Sequence, residues 1–482
     1  MNSDLPVRLR EVFAGADYTI DGVRGRLGDT AARALSREEI VPALRATGDG
    51  DALATLIRLF WLQVPVPSDR ARRVLPVDEL AACGLVDRDG ERVRAAVHIQ
   101  PWDDLGYVVS DLKVRPGDPP LRPDHVVGAG GASANLAQLV TRDKVESAFD
   151  LGTGCGVQVL HLAGRAGSVT ASDVNPRALE LARMSWALSG VEGVEALQGS
   201  LFEPVADRRF DLIVTNPPFV ISPSARLTYR EAGLPGDGLS REIVLRAPDR
   251  LNPGGRCHLL ANWLHVRGAD WRDRVGGWLA EGGCDGWVVQ RDVQDPAEYV
   301  ELWLRDSCDQ GTPEYRRRYD EWLAWFDELD VTGVGFGWIT LHAAGSLDPV
   351  VRVEELRQRV ELPVGGYVDD VLTAMGTAHR IGDEELLAAR PRTAEGVVEE
   401  RSGQPGAEDP ERITLRQTRH LMRSVQVGTV EASLAGVCDG TLPLRPLLEA
   451  IAELTEEDPG ELTARAPEVI RSLVAEGFFI IE

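Results

Sequence analysis

The chain has 482 residues, 43% hydrophobic and 27% charged, a balance that suits a folded globular protein of two or three domains with ample material for a core. Its net charge of −24 disfavours bulk contact with a phosphate backbone, because such contact is driven by Lys and Arg. Lys113 and Lys144 are the only lysines, so there is no Gly-Lys-Ser/Thr phosphate loop. Cys83, Cys155, Cys257, Cys284, Cys308 and Cys438 form no Cys-x-x-Cys pair, which argues against a bound metal or a disulfide framework and for a reducing cytoplasm. Residues 1–10 hold no apolar run, so no signal peptide is expected. The most apolar stretch, residues 55–66, contains Arg58 and is too short to span a bilayer, so no membrane contact is expected.

Residues 1–100 read as an N-terminal helical module that closes on a short strand pair. Residues 53–62 form a compact apolar helix, and Pro65, Pro67 and Ser68 break it. Residues 77–84 read as another helix, and 85–93 as strand, turn and strand. A winged-helix-like module and a plain helical cap are both open for this region. Residues 101–345 read as the central domain. Residues 107–112 look like a strand. The glycine-rich run 128–133 precedes a helix over 134–141; with no lysine behind it, it reads as a flexible lid over a ligand rather than a phosphate cradle.

From Val145 strands alternate with helices. Strands are expected at 146–151, 168–173, 194–198, 210–215, 255–261 and 285–291, which implies a mostly parallel sheet covered on both faces. Asn175 caps the helix after the second strand, Pro176 opens it, and Leu179, Ala182 and Trp186 mark one face. Residues 295–335 read as an insertion of two helices. Its Tyr315, Tyr319, Trp322 and Phe326 recur at helical spacing and read as a core stripe. The adjacent Arg316-Arg317-Arg318 is the best local basic-aromatic patch, or else a solvated helix face. Residues 334–341 read as a last strand. Residues 346–482 read as a mainly helical C-terminal accessory module, for which a winged-helix-like form is also open. Within it 391–412 is polar and acidic and is expected to be a mobile loop. Helices are expected at 415–422, 444–454 and 467–476, and a strand at 478–481.

Four motifs carry chemistry. Asp150-Leu151-Gly152-Thr153-Gly154-Cys155-Gly156 ends the first strand in a tight turn that lets a ligand touch backbone. Its Gly-x-Gly-x-Gly spacing differs from the Gly-x-Gly-x-x-Gly of dinucleotide sites, where a pyrophosphate sits on the helix N-terminus. Asp173, 23 residues after Asp150, falls at the end of strand two, where a carboxylate accepts hydrogen bonds from both ribose hydroxyls. Gly199-Ser200-Leu201-Phe202 follows strand three. Asn216-Pro217-Pro218-Phe219 follows strand four. An amide or aryl-amine nitrogen is a poor nucleophile, because its lone pair is delocalised. The Asn216 side-chain oxygen and the Pro217 carbonyl are placed to accept its two N–H bonds and turn the lone pair outward. The prolines stiffen that carbonyl, and Phe219 offers a flat face.

In this order the four motifs resemble the class I S-adenosylmethionine-dependent methyltransferases that methylate planar nitrogens, over residues 145–290. The resemblance implies an α/β, Rossmann-like sheet of seven strands, the last antiparallel, flanked by mainly helical N- and C-terminal modules. It implies S-adenosylmethionine as cofactor, held by Asp150, Gly152, Thr153, Gly154 and Gly156 at the first turn. Asp173 and Val174 follow on the ribose side, Ser200 and Leu201 at the adenine, and Asn216 beside the methyl. Ser200 stands where such families commonly carry an acid, which leaves the Leu201 amide for the ring. Asn216, Pro217, Pro218 and Phe219 are the implied catalytic group.

Two families compete. One methylates the glutamine of the Gly-Gly-Gln motif in translation release factors. The other methylates exocyclic amines of adenine or guanine in RNA or DNA. Gly233-Leu234-Pro235-Gly236-Asp237-Gly238-Leu239 resembles the glutamine family, although Phe219 stands where that family more often has Tyr. A protein glutamine, in a release factor among other candidates, is the first choice of acceptor. A nucleobase in RNA or DNA is the alternative, and a non-catalytic S-adenosylmethionine-binding regulator the third reading. The oligomeric state is left open.

Overall fold

The computed structural model describes residues 4–114, 121–218, 220–223, 236–305, 310–404 and 411–481. Phe219, Cys308 and residues 233–235 lie outside them.

The molecule is arranged on one sheet of eight strands: β1 (Val145–Leu151), β2 (Ala166–Asp173), β3 (Glu195–Gln198), β4 (Phe210–Thr215), β5 (Leu251–Val266), β6 (Asp285–Gln294), β7 (Val331–His342) and β8 (Val351–Glu355). Their spatial order is β3-β2-β1-β4-β5-β7-β6-β8. All neighbours are parallel except β7, which runs antiparallel to both β5 and β6. Ala148 to Leu151 and Leu212 to Thr215 are buried without interruption, as expected of central parallel strands covered on both faces. The strand order reverses between β1 and β4, and such a reversal opens a crevice at the strands' C-terminal ends.

The sheet is one strand wider than expected. β8 falls in the region read as the C-terminal module, and it extends the edge by pairing in parallel with β6, Gly286 opposite Val351. Val351 and Val353 pack against the core below that edge, which is why the sheet continues beyond seven strands.

Strand β5 is unusually long. It pairs with β4 at Leu251 and from Arg256 to Leu259, but it continues against β7 as far as Val266. A β5–β7 ribbon therefore projects past the C-terminal ends of β1 and β4. The two insertion helices, Pro296–Arg305 and Pro313–Glu328, pack on that projection. Tyr299, Val300, Leu304, Trp322 and Phe326 form a separate apolar cluster with Leu264 of β5 and Val334 of β7. Of the expected aromatic stripe, Trp322 and Phe326 are buried, and Tyr315 and Tyr319 are half-buried at its margin.

The N-terminal region holds short helices and a three-stranded antiparallel sheet, with Arg92–Ala95 between Val66–Pro67 and Val86–Asp89. Its core runs into the central one: Phe13 contacts Tyr18, Phe60 and Tyr107, and Tyr18 Oη donates to the Ile99 carbonyl at 2.7 Å. The hairpin His98–Trp102 and Gly106–Ser110 seats on the Pro176–Ser189 helix. There Ser185 Oγ and Ser189 Oγ accept the N–H groups of Val109 and Tyr107 at 2.8 and 2.9 Å. The Asn175 side chain caps that helix at Arg177 N, 3.0 Å.

In the C-terminal region the expected mobile loop over 391–412 is replaced by strands Pro391–Thr393, Val397–Ser402 and Arg412–Gln417; residues 405–410 between the last two lie outside the described residues. The helix expected at 415–422 is absent too. Arg412–Gln417 pairs on both sides, with Val397–Ser402 and Ser424–Val427, burying Leu415 and Gln417. Alternation over six residues won over helix propensity. Among the described residues no helix is long and apolar enough to cross a membrane.

Candidate active site

A cleft of about 820 Å³ opens at the C-terminal ends of β1, β2 and β4, where the strand order reverses. Leaving β1, the chain turns through Gly152 and Gly154, at φ +73° and +54°. A Cβ on either would meet nothing within 4 Å, so the space above the turn is open.

Two carboxylates lie at this turn. Asp150 is 1% exposed, and Thr153 Oγ1 donates to its Oδ2 at 2.6 Å. Burial, opposed by that hydrogen bond and reinforced by the nearby Asp173 charge, pushes the Asp150 carboxyl up to about 7. Asp173, at the end of β2, accepts the Gly154 N–H on Oδ2 and the Asn175 N–H on Oδ1, both at 2.9 Å. Its carboxyl is raised by burial, against these backbone donors. Each of its oxygens keeps a lone pair for another donor. Among the described residues neither carboxylate has a cationic partner.

After β3 the wall is a turn closed by Gly199 N–H to the Asp173 carbonyl at 3.1 Å and Glu203 N–H to the Ser200 carbonyl at 3.0 Å. It holds Leu201 at φ +49°, a left-handed conformation uncommon for a residue with a side chain. At the end of β4, Thr215 Oγ1 donates to the Leu151 carbonyl at 2.8 Å, which fixes the strand end against β1. Asn216, Pro217 and Pro218 follow and line the same cleft. Asp150, Gly152, Thr153, Gly154, Asp173, Val174, Ser200 and Leu201 line it with them.

Gly156 does not line the cleft. Its φ is +82°, and a Cβ there would lie 2.5 Å from Trp186 Nε1 and 3.0 Å from the Ala182 main chain. Its carbonyl accepts from Trp186 Nε1 at 2.9 Å. This glycine serves close packing of the Pro176–Ser189 helix. In the stretch that resembles the glutamine family, Asp237 also turns away: it pairs with Arg274 and accepts the Leu264 N–H at 2.8 Å, while Leu239 lines the cleft.

The cleft includes residues that sequence reasoning had not placed there: His125 to Val127, Gln158, Glu242 and Trp303. The 128–133 run also lines it but is not a loose flap. Gln100 Nε2 donates to the Ala129 carbonyl at 3.1 Å, and Gln158 Nε2 to the Ser133 carbonyl at 2.9 Å. Glycine content was the one local signal for this wall; Gln158, Glu242 and Trp303 come from separate helices and had none.

These residues fit S-adenosylmethionine. A buried and a half-buried carboxylate without a cationic partner among the described residues suit a ligand that carries an ammonium and a sulfonium, and the bare glycine turn leaves room for it. The strand order, the antiparallel β7 and this chemistry together define an S-adenosylmethionine-dependent methyltransferase.

Comparison with known proteins agrees. Residues 130–266 match the family described as methyltransferase small domain, and residues 15–96 match one described only as a domain of unknown function. A Geobacter sulfurreducens protein named release factor glutamine methyltransferase is 32% identical over 230 residues, covering 44% of this chain and 75% of that protein. A Bradyrhizobium diazoefficiens protein named ribosomal protein uL3 glutamine methyltransferase is 33% identical over 145 residues, 27% of this chain and 45% of that one. A Serratia proteamaculans protein named ribosomal RNA small subunit methyltransferase C is 27% identical over 191 residues, 39% and 50% of the two chains. The chain belongs to the small-domain methyltransferase family, with the Geobacter sulfurreducens protein among its relatives.

Proposed function

We propose that the protein methylates a planar nitrogen, and that the acceptor is the side-chain amide of a protein glutamine. One observation carries this reading: Asn216, Pro217 and Pro218 line the same cleft as Asp150, Asp173 and the glycine turn. S-Adenosylmethionine supplies an electrophilic methyl group when bound. Asp150 holds its ammonium, Asp173 its ribose hydroxyls, and the main chain at Leu201 its adenine. Asn216 Oδ1 and the Pro217 carbonyl accept the two N–H bonds of the acceptor amide, and the lone pair then faces the methyl. Val220 resumes the cleft wall beyond Phe219. No strong base is required, since the proton leaves after the nitrogen has become cationic.

Protein is favoured over nucleic acid by charge. The net charge is −24, and within Arg316-Arg317-Arg318 the central guanidinium is engaged by Glu314 and Glu321. The names of the glutamine relatives point the same way. The relative named for ribosomal RNA keeps a nucleobase as the competing acceptor. In this proposal residues 101–345 do the chemistry, and the 1–100 and 346–482 regions select the substrate, with a release factor as the first candidate.

The test is transfer of label from S-adenosylmethionine into a cell extract, followed by separation of protein, RNA and small-molecule pools. Label should enter protein, and Asn216→Ala should lower the rate at least about a hundredfold, since loss of acceptor alignment alone costs that much. Label in RNA that falls with salt would replace glutamine with a nucleobase. Cofactor binding without turnover in any pool would leave a regulator.

A further inference from the structure

The Asn216-Pro217-Pro218 segment is held from beyond its own strand. Ile221, 2% exposed, donates its N–H to Tyr299 Oη at 2.8 Å, and its carbonyl accepts from Trp322 Nε1 at 3.0 Å. Tyr299 and Trp322 come from the two different insertion helices, and both are buried. Both main-chain polar groups of this one residue are thus satisfied by side chains inside an aromatic cluster. Tyr299 has a second neighbour one helical turn on. Its ring meets Trp303 edge to face, with centroids 6.1 Å apart at 65°. Trp303 lines the cleft together with Asn216, Pro217, Pro218 and Val220.

We infer that the insertion is the acceptor wall of this site: Trp303 gives the flat face on which the planar carboxamide lies, and Tyr299 and Trp322 position the loop that grips its N–H groups. This rests on the reading of methyl transfer to a planar nitrogen. Two acceptors, at Asn216 and Pro217, fix an amide within its plane. They leave it free to tilt about the line that joins them. A broad apolar surface stops that tilt, and an indole is the largest one a side chain provides. Tyr299 ties the two functions together, since it supports the Trp303 ring and holds the Ile221 N–H. Asp150 and Asp173 belong to β1 and β2, so changes in the insertion act on the acceptor and spare the cofactor.

The test uses the full chain, labelled S-adenosylmethionine and serial dilutions of cell extract as acceptor. Trp303→Ala should raise the half-saturating extract concentration about tenfold, while Trp303→Phe, which keeps a flat face, should stay within about threefold of the parent. Cofactor affinity by calorimetry should stay within about twofold in both. Tyr299→Phe should lower the maximal rate about tenfold and speed amide exchange at Ile221 at least about tenfold, with the β4 amides unchanged. Trp303→Ala with wild-type kinetics would overturn the acceptor wall. Unchanged exchange at Ile221 would overturn the positioning role. If the parent itself labels no pool, the methyl-transfer reading falls and the role of Trp303 with it; the exchange measurement still decides the part of Tyr299.

Discussion

On the β1–β3 side of the cleft, main chain sets position. Gly152 and Gly154 turn under open space, Asp173 is fixed by two backbone N–H groups, and Leu201 is held at positive φ by its neighbours' hydrogen bonds. On the β5–β7 side, side chains do that work. A 16-residue β5 carries the sheet outward, and the helices packed on it reach back to Ile221 through a tyrosine and a tryptophan. A wall built from backbone needs few particular residues, chiefly glycines and strand-end acids. A wall built from side chains can be re-cut for another acceptor without disturbing the first.

The largest effect expected on the backbone wall comes from a residue that touches no ligand. Gly156→Ala adds a Cβ at φ +82°, against Trp186 and the Ala182 main chain, and should cost about 2–4 kcal/mol of stability. Urea unfolding measures that loss, and cofactor affinity of the folded fraction should move less than about threefold. Gly154→Ala is the converse case. Its Cβ meets nothing, so it should cost only about 1 kcal/mol while filling the space the ligand needs. If Gly156→Ala abolished cofactor affinity at full stability, the third glycine would belong to the site after all.

Asp173→Ala comes next. If Asp173 holds the ribose hydroxyls as proposed, its loss should weaken S-adenosylmethionine at least tenfold, at about 1.5–3 kcal/mol for each charge-assisted bond. The variant also strands the Gly154 and Asn175 N–H groups, so affinity must be read on protein shown to be folded. An unchanged calorimetric Kd would remove Asp173 from the cofactor wall.

The contrast between the walls also decided what the sequence could reveal. Backbone-built features leave local signatures. Gly-x-Gly-x-Gly marked the turn, Asp150 and Asp173 marked two strand ends, and β4 runs from Phe210 to Thr215 as read from its apolar run. Features held by distant side chains left none. Trp303 reaches the cleft from a helix some 80 residues beyond Asn216. The 128–133 run looked like a loose flap because its anchors, Gln100 and Gln158, lie 29 and 25 residues from the carbonyls they hold. Strand Val397–Ser402 was invisible for another reason: after half-buried Val397 every residue in it is exposed, so no hydrophobic alternation marks it. β8 fell on the far side of a boundary set just after the expected last strand at 334–341, although it extends the sheet's edge.

The smallest effect, and the one that asks most of the cofactor wall, is on pH dependence. Burial raises the Asp150 carboxyl from its ordinary value of 3.8 to about 7. Between those values the folded chain binds a proton that the unfolded chain releases. Stability of the cofactor-free protein should therefore fall as pH rises from about 4 to about 7, and level off above it. A cationic ligand reverses the preference, because an ammonium beside Asp150 favours the carboxylate. Affinity for S-adenosylmethionine should then strengthen from about pH 6 to about pH 7.5, by up to about tenfold, with close to one proton released on binding at the lower pH. Calorimetry in buffers of different ionisation heat counts that proton. Asp150→Asn should flatten the profile and abolish the release. A parent profile that is already flat would mean that the ammonium pairs elsewhere, and that Asp150 only braces the turn through Thr153.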